Sequence, residues 1–380
     1  MIFLDNASTT RIDKQVNDLI YKTNQDDFFN PSALYEKSMM VKSKITSAIS
    51  NICKMLNTPN ENLIFTSGAT ECNNTVINGF VSGNKKAEYI FSMGEHPSVY
   101  EVAKSLQNQG HIVHFVDLNS DGSVDTEKYK ALLNPNTHFV SIMHISNETG
   151  AVNDVKQLCS LAKKVNPNCI FHCDGVQAVG KIKVDIKDLG VDAYSTSAHK
   201  FHGPKGVGFL YIKNLNKFKP YILGGGQQNQ LRSGTENISG ILATELALKI
   251  ATENLDENYK KVKHFRDLFV EKLQNSSIKD YKINQNFNFN SPYVLSVSFK
   301  GLKGEVIQHT LEKYNILIGT GSACSSKKSN NRTLQNMGVE KKYIEGSIRI
   351  SFSNDNTTDE VNFASDKLIE EVLNLEEKVK

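Results

Sequence analysis

The sequence of 380 residues has no apolar run that approaches the roughly 18 to 20 residues needed to cross a bilayer. Its first residues, MIFLDNASTTRID, have neither a basic leader before an apolar stretch nor an Arg-rich amphipathic pattern. We therefore expect a cytoplasmic protein, mature from Met1, that does not bind membranes.

Cysteine is scarce and its spacing is irregular. Six cysteines contain no C-x-x-C pair, which fits neither a disulfide framework nor a structural zinc site. Most should be reduced thiols in the core, and Cys324 is the exception. The full set is Cys53, Cys72, Cys159, Cys169, Cys173 and Cys324.

An excess of one charge is also missing, because 44 Lys and Arg face 41 Asp and Glu. A net charge of +3 gives no reason to expect a nucleic acid or a membrane surface as the partner, so the substrate should be small. The length exceeds that of one usual domain, which favours a large domain with a smaller one.

Short apolar runs alternate with helix-period segments from residue 60 to 212, which predicts an α/β fold with a mostly parallel sheet between helices. The run 206–213 follows the preceding strand too closely for a helical crossover, so we expect it to be an antiparallel neighbour in a mixed sheet. The predicted strands are 63–66, 89–93, 112–118, 139–145, 169–174, 193–197 and 206–213.

After about residue 255 the pattern indicates an α+β unit with helices near 258–274 and 304–314 and a strand at 293–299. In SIRISF (347–352), period 2 places Arg349 on the face away from the core. A capping box of Thr357 and Glu360 opens the last helix. The Asn-rich stretch 284–290 is interpreted as a surface connection. We predict a large domain over 15–257 and a small domain formed by 1–14 and 258–380.

Polar residues follow most of the apolar runs, and the carboxyl ends of parallel strands form the ligand crevice of such a sheet. The small-residue turn TSGATE (66–71) leads into a helix whose N-terminus would attract a phosphate. An ordinary capped helix is the alternative. The residues concerned are Ala69, Thr70, His96, Asn147, Asp174, Gln177 and Lys200.

Lys200 lies at a strand end beside Ser197 and His199, a setting that suits a lysine that must lose its proton to form a Schiff base. An exposed structural lysine is the alternative. His199 and His202 could also form a metal pair, but no third ligand is evident.

Asp174 ends an apolar strand, where a pyridinium N–H would justify burying a carboxylate. A neighbouring Arg or a backbone cap would serve as well. In GTGSACSS (319–326), Cys324 stands among small residues that suit an accessible nucleophile, although it could be a spare surface thiol.

Together these segments resemble the cysteine desulfurases of the class-V aminotransferase family, in the nitrogen-fixation and iron–sulfur-cluster branch. The resemblance runs from LDNASTT to SIRISFS. It is carried by FTSGATECNN, EHPSV, NETG, DGVQAVGK, SAHKFHGPKG, GGGQ, RSGTEN, GSACSS and SIRISFS.

The resemblance implies a fold-type I enzyme that uses pyridoxal 5′-phosphate. Lys200 would be the Schiff-base lysine, Asp174 the partner of the pyridine nitrogen, and His96 the residue that stacks on the ring and helps in proton transfer. Gln177 and Asn147 would donate hydrogen bonds to the ring oxygen O3′. The phosphate would be held by Ala69, Thr70, Ser197, His199 and, from the second subunit of a homodimer, Thr235.

The resemblance also implies the reaction. Arg349, with Asn147, would bind the α-carboxylate of L-cysteine. Cys324, on a loop at about 319–333, would take the sulfur as a persulfide and leave alanine. The acceptor would be an iron–sulfur scaffold or a tRNA-thiolation protein. Cys324 could also ligate a cluster iron, and no resident metal is expected.

Several positions depart from the family pattern, and SSKKSNNRTL after Cys324 lacks the usual Gly and Pro-Ser. These changes put the acceptor in doubt more than the reaction. The positions are Ser8, Arg11, Ala33, Tyr35, Ser38, Ser146, Gln228 and Gln230. Three alternatives stay open: a selenocysteine lyase, a simple aminotransferase, and a non-catalytic pyridoxal-phosphate scaffold in a sulfur-transfer complex.

Overall fold

The computed structural model describes residues 1–59, 62–320 and 331–379. In this part of the chain the strands are β1 (Ile2–Leu4), β2 (Leu63–Thr66), β3 (Glu88–Ser92), β4 (Ile112–Val116), β5 (Thr137–Ser141), β6 (Ile170–Asp174), β7 (Ala193–Ser195), β8 (Gly208–Ile212), β9 (Tyr281–Ile283), β10 (Val294–Phe299), β11 (Ile316–Thr320) and β12 (Ser347–Ser351). The helices are α1 (Lys14–Asp26), α2 (Glu36–Met55), α3 (Ala69–Gly79), α4 (Pro97–Asn108), α5 (Thr126–Leu132), α6 (Val155–Val165), α7 (Ile186–Leu189), α8 (Ile238–Glu253), α9 (Leu255–Gln274), α10 (Gly304–Glu312), α11 (Arg332–Asn336), α12 (Lys341–Ile344) and α13 (Thr358–Val379).

Within the described residues, the larger sheet has seven strands in the order β2-β8-β7-β6-β5-β3-β4. Strands β4, β3, β5, β6 and β7 pair in parallel, whereas β8 is antiparallel to both β7 and β2. The prediction of a mixed, mostly parallel sheet with 206–213 antiparallel is confirmed. At several of their ends, the strands stop one to four residues short of the apolar runs from which they were predicted.

Helices cover this sheet, and its central strands are buried on both faces, as expected for parallel strands. In α4, Val99, Ala103 and Leu106 form a buried apolar stripe. This packing fixes the N-terminus of α4, and therefore His96 just before it, close to the end of the strands.

The second sheet has five strands in the part of the chain that the structure describes, in the order β1-β11-β12-β10-β9. Strand β1 pairs in parallel with β11, and the other pairs are antiparallel. One face packs on α9 and α13 and buries Ile348 and Ile350. Arg349 lies on the opposite face, as period 2 predicted. The sequence patterns did not indicate β1, β9 or β11, and the domain boundaries stay a prediction.

The Asn-rich stretch 284–290 is not simply a surface connection. Asn284 and Asn290 are buried, although 286–289 are exposed. Asn290 Nδ2 donates to the carbonyl of Thr149 at 3.2 Å, and Asn284 Nδ2 donates to Ser298 Oγ at 2.8 Å. The interpretation was wrong for these two residues because the N–H groups of a carboxamide can be buried where backbone carbonyls and hydroxyl groups accept their hydrogen bonds.

The predicted capping box at the start of α13 is present. Glu360 N donates to Thr357 Oγ1, and Thr357 N donates to Glu360 Oε2, each at 3.2 Å. Across the described ranges, none of the helices is both long enough and apolar enough to cross a membrane.

Candidate active site

Lys200 lies in a short 3-10 turn, Ala198–Lys200, directly after β7. It is half-buried, and its Nζ donates to the carbonyls of Ala7 at 2.7 Å and Ser8 at 2.6 Å. Thr10 donates to the carbonyl of His199 through both N and Oγ1. The segment after β1 therefore covers the end of β7 and holds the lysine amine in a crevice rather than in open solvent.

Gln177 reaches the same place from the loop after β6. Its Nε2 donates to the carbonyl of Ala7 at 2.9 Å, so this carbonyl receives both Gln177 and Lys200. Its Oε1 accepts from Nζ of the buried Lys181. Because Lys181 Nζ is a donor, it selects the orientation of the carboxamide in which Oε1 faces Lys181 and the N–H groups of Gln177 face the Lys200 side.

Asp174 is the last residue of β6 and is 5% exposed. Its Oδ1 accepts from Val176 N at 3.1 Å, and Oδ2 accepts from Asn73 Nδ2 at 2.8 Å. The backbone cap considered from the sequence is thus present, and Asn73 adds a second donor. An aspartate has about four acceptor positions, so one more N–H donor can be accommodated.

His96 is the N-cap of α4. Its Nδ1 accepts from Ser98 N at 3.2 Å and lies 2.8 Å from Ser98 Oγ. Burial lowers the pKa of His96, while the Asp174 carboxylate acts in the opposite direction. Nearby cations lower it further: Lys200, Arg332 and Arg349. The ring is therefore mainly neutral at physiological pH.

The N-terminus of α3 is open. Its N-cap, Gly68, has φ +149°. As a glycine, it has no side chain that could accept a hydrogen bond from the first N–H groups of the helix. A Cβ built at Gly68 would lie 3.7 Å from Ser197 Oγ, so the glycine keeps clear the space between Ser197 and the first helical residues, Ala69 and Thr70. The alternative of an ordinary capped helix is met only in part, because Glu71 Oε2 accepts from Ser67 N at 2.8 Å while the N-cap position itself supplies no side-chain acceptor.

His199 lies beside this cradle and pairs through Nδ1 with Thr9 Oγ1 at 3.1 Å. Burial, together with Lys200, Lys205 and Lys181, lowers the pKa of His199 to about 4. His202 Nδ1 pairs with the Arg11 carbonyl at 3.0 Å. Over residues 1–59, 62–320 and 331–379, His, Cys, Asp and Glu side chains form no group of three or more that could hold a metal ion.

Arg349 projects from β12 toward the larger sheet and is 5% exposed. Its Nη2 donates to Asp5 Oδ1 at 2.7 Å, and its Nη1 donates to the Asn147 carbonyl at 3.0 Å. Its Nε has no hydrogen-bond partner among the described atoms. The unsatisfied Nε–H lies beside an Nη group that already has a partner. Together they form an edge of the guanidinium that suits a carboxylate.

Thr235 is exposed, in a segment fixed by the ion pair of Arg232 Nε with Glu71 Oε1 at 2.7 Å. Cys324 lies outside the described residues. The segment that follows it is anchored by Arg332, whose guanidinium donates to the carbonyls of Met93 and Glu95 and stacks on the Tyr100 ring.

The model of the family described as "Aminotransferase class-V" matches residues 2–363. The chain belongs to the class-V aminotransferase family. "Cysteine desulfurase IscS" of Dictyoglomus turgidum is 34% identical over 370 residues, which cover 97% of this chain and 93% of that relative.

Two solved structures are similar to this family member over nearly its full length. One, described as a "NifS-like protein", has 34% identity and a TM-score of 0.92, and the match covers 98% of this chain and 99% of that one. The other, described as "SspA in complex with cysteine", has 25% identity and a TM-score of 0.80 over 94% and 100% of the two chains. The prediction of family and fold is confirmed.

Members of this family depend on pyridoxal phosphate. The residues of this chain fit a bound pyridoxal phosphate in three respects. A lysine amine faces the crevice, a buried carboxylate retains acceptor capacity, and an uncapped helix N-terminus leaves a cradle that a Cβ at Gly68 would enter. The cofactor prediction is therefore consistent with the donor set.

Sequence reasoning missed four residues that hold this site: Asp5, Asn73, Ser98 and Lys181. Three of them stand inside the motifs TECNN, EHPSV and VGK, which were noted as whole segments without separate roles for these side chains. The fourth, Asp5, is brought to Arg349 by the pairing of β1 with β11, which the sequence patterns did not indicate.

Proposed function

We propose that this chain is a pyridoxal-phosphate-dependent cysteine desulfurase that converts L-cysteine to L-alanine and retains the sulfur as a persulfide on Cys324. The similarity to "Cysteine desulfurase IscS" over 97% of the chain supports the activity. The similarity to a chain described as being in complex with cysteine supports the substrate.

The convergence of Lys200 and Arg349 is the observation that carries the proposal. They come from different sheets, yet both bond to the segment Asp5–Ser8, Arg349 at the Asp5 carboxylate and Lys200 at the carbonyls of Ala7 and Ser8. An amine and a free guanidinium edge within one crevice match the two ends of an α-amino acid near its reacting carbon.

When bound, the cofactor supplies an electron sink for negative charge that develops at the amino-acid α-carbon. Lys200 Nζ would hold the cofactor and move a proton at the substrate α-carbon. Asp174 would accept a hydrogen bond from the ring nitrogen and keep it protonated. Ala69, Thr70, Ser197, His199 and Thr235 would hold the phosphate.

His96 would stack on the cofactor ring, and Gln177 and Asn147 would donate hydrogen bonds toward the ring oxygen O3′. Arg349, with Asn147, orients the substrate carboxylate through its fork of N–H groups.

Cys324 is the proposed sulfur acceptor. The other five cysteines are buried. Burial raises the pKa of Cys72, Cys159 and Cys169 to about 12 and raises that of Cys173. Since the thiolate is the nucleophile, these buried thiols are unsuited to the step. In the transfer, the substrate C–S bond breaks, an S–S bond to Cys324 forms, and the carbon is protonated to give alanine.

We further propose a homodimer in which Thr235 completes the phosphate site of the second subunit, and a protein that accepts the persulfide sulfur. The exposure of Thr235 on one chain supports a contact beyond that chain. The acceptor belongs to the class of iron–sulfur scaffold or tRNA-thiolation proteins.

The test measures alanine and sulfide released from L-cysteine with dithiothreitol, together with the visible spectrum of the bound cofactor. We expect wild type and Ser325→Ala to be yellow and active, and Cys324→Ala to be yellow and without alanine release. A Cys324→Ala variant as active as wild type would contradict the proposed acceptor, and a colourless wild-type protein would contradict the cofactor assignment.

A further inference from the structure

A continuous line of hydrogen bonds joins His96 to Asp174 beneath the crevice. His96 Nδ1 lies 2.8 Å from Ser98 Oγ, Asn73 Nδ2 donates to Ser98 Oγ at 2.9 Å, and the same Nδ2 donates to Asp174 Oδ2 at 2.8 Å. Asn73 is fully buried, and Ser98 and Asp174 are nearly so. We call these four residues the relay.

The polarity of the relay is fixed at Asn73. An amide nitrogen carries two protons, and Nδ2 directs one to the carboxylate and one to the hydroxyl. Its Oδ1 has no hydrogen-bond partner within the described part of the chain. The reversed amide would place Oδ1 against the carboxylate, oxygen to oxygen, so the observed orientation is retained even though it leaves an acceptor unused.

The direction at Ser98 then follows. A serine hydroxyl has one proton, and because Oγ accepts from Asn73, that proton is available for His96 Nδ1. The backbone N–H of Ser98 donates to the same nitrogen at 3.2 Å. Two donors directed at Nδ1 require it to be the unprotonated nitrogen, so the proton of the neutral imidazole is on Nε2.

We propose that Asn73 and Ser98 are positioning residues that hold His96 in the tautomer with its proton on Nε2. This assignment rests on the proposed function for its catalytic meaning. In that tautomer Nδ1 is occupied by the two donors of Ser98, so the nitrogen of His96 that is left for other contacts, Nε2, is an N–H donor and not a base. His96 therefore does not remove the α-proton, and that step belongs to Lys200. The ring also stays neutral because burial lowers its pKa.

The experiment reads the tautomer directly. The full chain, with its cofactor bound, is prepared with histidine labelled by nitrogen-15 in the ring, and long-range proton–nitrogen correlations report which nitrogen is protonated. His96→Gln identifies the His96 signals. We expect an unprotonated Nδ1 and a protonated Nε2 in wild type at neutral to mildly alkaline pH.

Two variants of Ser98 and one control test the relay. Ser98→Ala removes the hydroxyl donor, so both nitrogen signals of His96 should shift toward those of a mixture of tautomers. Ser98→Thr keeps the hydroxyl and should restore the wild-type signals. Ser105→Ala, exposed on the same helix α4, should change neither signal.

Asn73→Asp tests the polarity. The new carboxyl group would share one proton with Asp174, and its other oxygen would accept the Ser98 proton, so the His96 signals should shift in the same direction as in Ser98→Ala. A wild-type His96 protonated on Nδ1, or wild-type signals in Ser98→Ala, would overturn the proposal. If wild type releases no alanine from L-cysteine, the proposed function fails instead, while the His96 signals still decide the tautomer.

Discussion

Lys181 shows how one buried side chain can act on its neighbours. It is 6% exposed, donates to Gln177 Oε1 and lies 5.9 Å from the centre of the Tyr293 ring. Burial, with the charges of Lys200 and Arg349, lowers the pKa of Lys181 from 10.5 to about 7. In the unfolded chain Lys181 keeps its ordinary pKa of 10.5. Between pH 7 and 10.5 the folded chain therefore binds fewer protons than the unfolded chain.

This difference predicts how stability depends on pH in the protein freed of its cofactor. Stability rises with pH where the unfolded state binds more protons, so Lys181 contributes a rise between pH 7 and 10.5. The slope from one group is at most about 1.4 kcal/mol per pH unit. The free energy of unfolding by urea should increase over this pH range in wild type and in the exposed variant Lys183→Met. In Lys181→Met this increase should be absent. Parallel curves for wild type and Lys181→Met would contradict the shift.

Single residues also mark the limit of sequence reasoning. Lys200, Asp174, Gln177 and Arg349 could be placed because each belongs to a motif at a strand end or on a strand face. Asn73 could not, because its partners, Ser98 and Asp174, are 25 and 101 residues away in sequence. A side chain that works only through such distant contacts leaves no local pattern.

At the scale of elements, the end of β11 is built around a close approach. A Cβ added at Gly319 would lie 2.6 Å from Asp5 Oδ1 and 3.0 Å from Arg349 Nη2. Gly319 is opposite Arg349 in the pairing of β11 with β12. The glycine therefore allows the ion pair of Asp5 and Arg349 to form, and keeps open the guanidinium edge proposed to bind the substrate.

Gly319→Ala should raise the KM for L-cysteine. Hydrogen bonds to charged groups contribute about 1.5–3 kcal/mol, so displacing the guanidinium should raise KM by about 10-fold to 100-fold. The cofactor spectrum should stay that of wild type, because Asp174 and Lys200 are untouched. Gly83→Ala is the control, since its added Cβ meets nothing within 4 Å. An unchanged KM in Gly319→Ala would show that the Asp5–Arg349 pair does not position the substrate.

Which elements could be predicted depends on their length and periodicity. Strands β2 to β8 have apolar runs, and α4 and α13 have regular stripes with a Pro at the start or a capping box. Strands β1 and β9 span three residues each, as β7 does, but they stand outside the repeating order of strands and helices that indicated β7. Their pairing partners lie on other segments, so only the folded chain defines them.

At the scale of the whole molecule, the N-terminal segment joins the two sheets. Strand β1 adds to the smaller sheet, and the residues after it cross to the end of β7, where Thr10 bonds to the His199 carbonyl. The site therefore depends on both sheets. The order of the strands was not predicted for either sheet. Sheet order is set by long-range pairing, for which a single sequence holds little signal.

The proposed dimer makes the last prediction, which uses two defective variants. Lys200→Ala should lack the covalent hold on the cofactor. Thr235→Asp should repel the phosphate by adding a like charge. If Thr235 serves the second subunit, a mixed dimer contains one site with both changes and one site with neither.

Unfolding the two variants together and refolding them should therefore restore activity to about a quarter of the wild-type value, because half of the dimers are mixed and each has one intact site. Each variant refolded alone should stay inactive, and size-exclusion chromatography should show dimers in every sample. If Thr235 instead serves its own chain, every site in a mixed dimer carries one change, so activity would not return. Alanine release per chain after mixing therefore shows whether Thr235 serves the second subunit or its own chain. The two arrangements predict the same number of folded chains and differ only in which sites are intact.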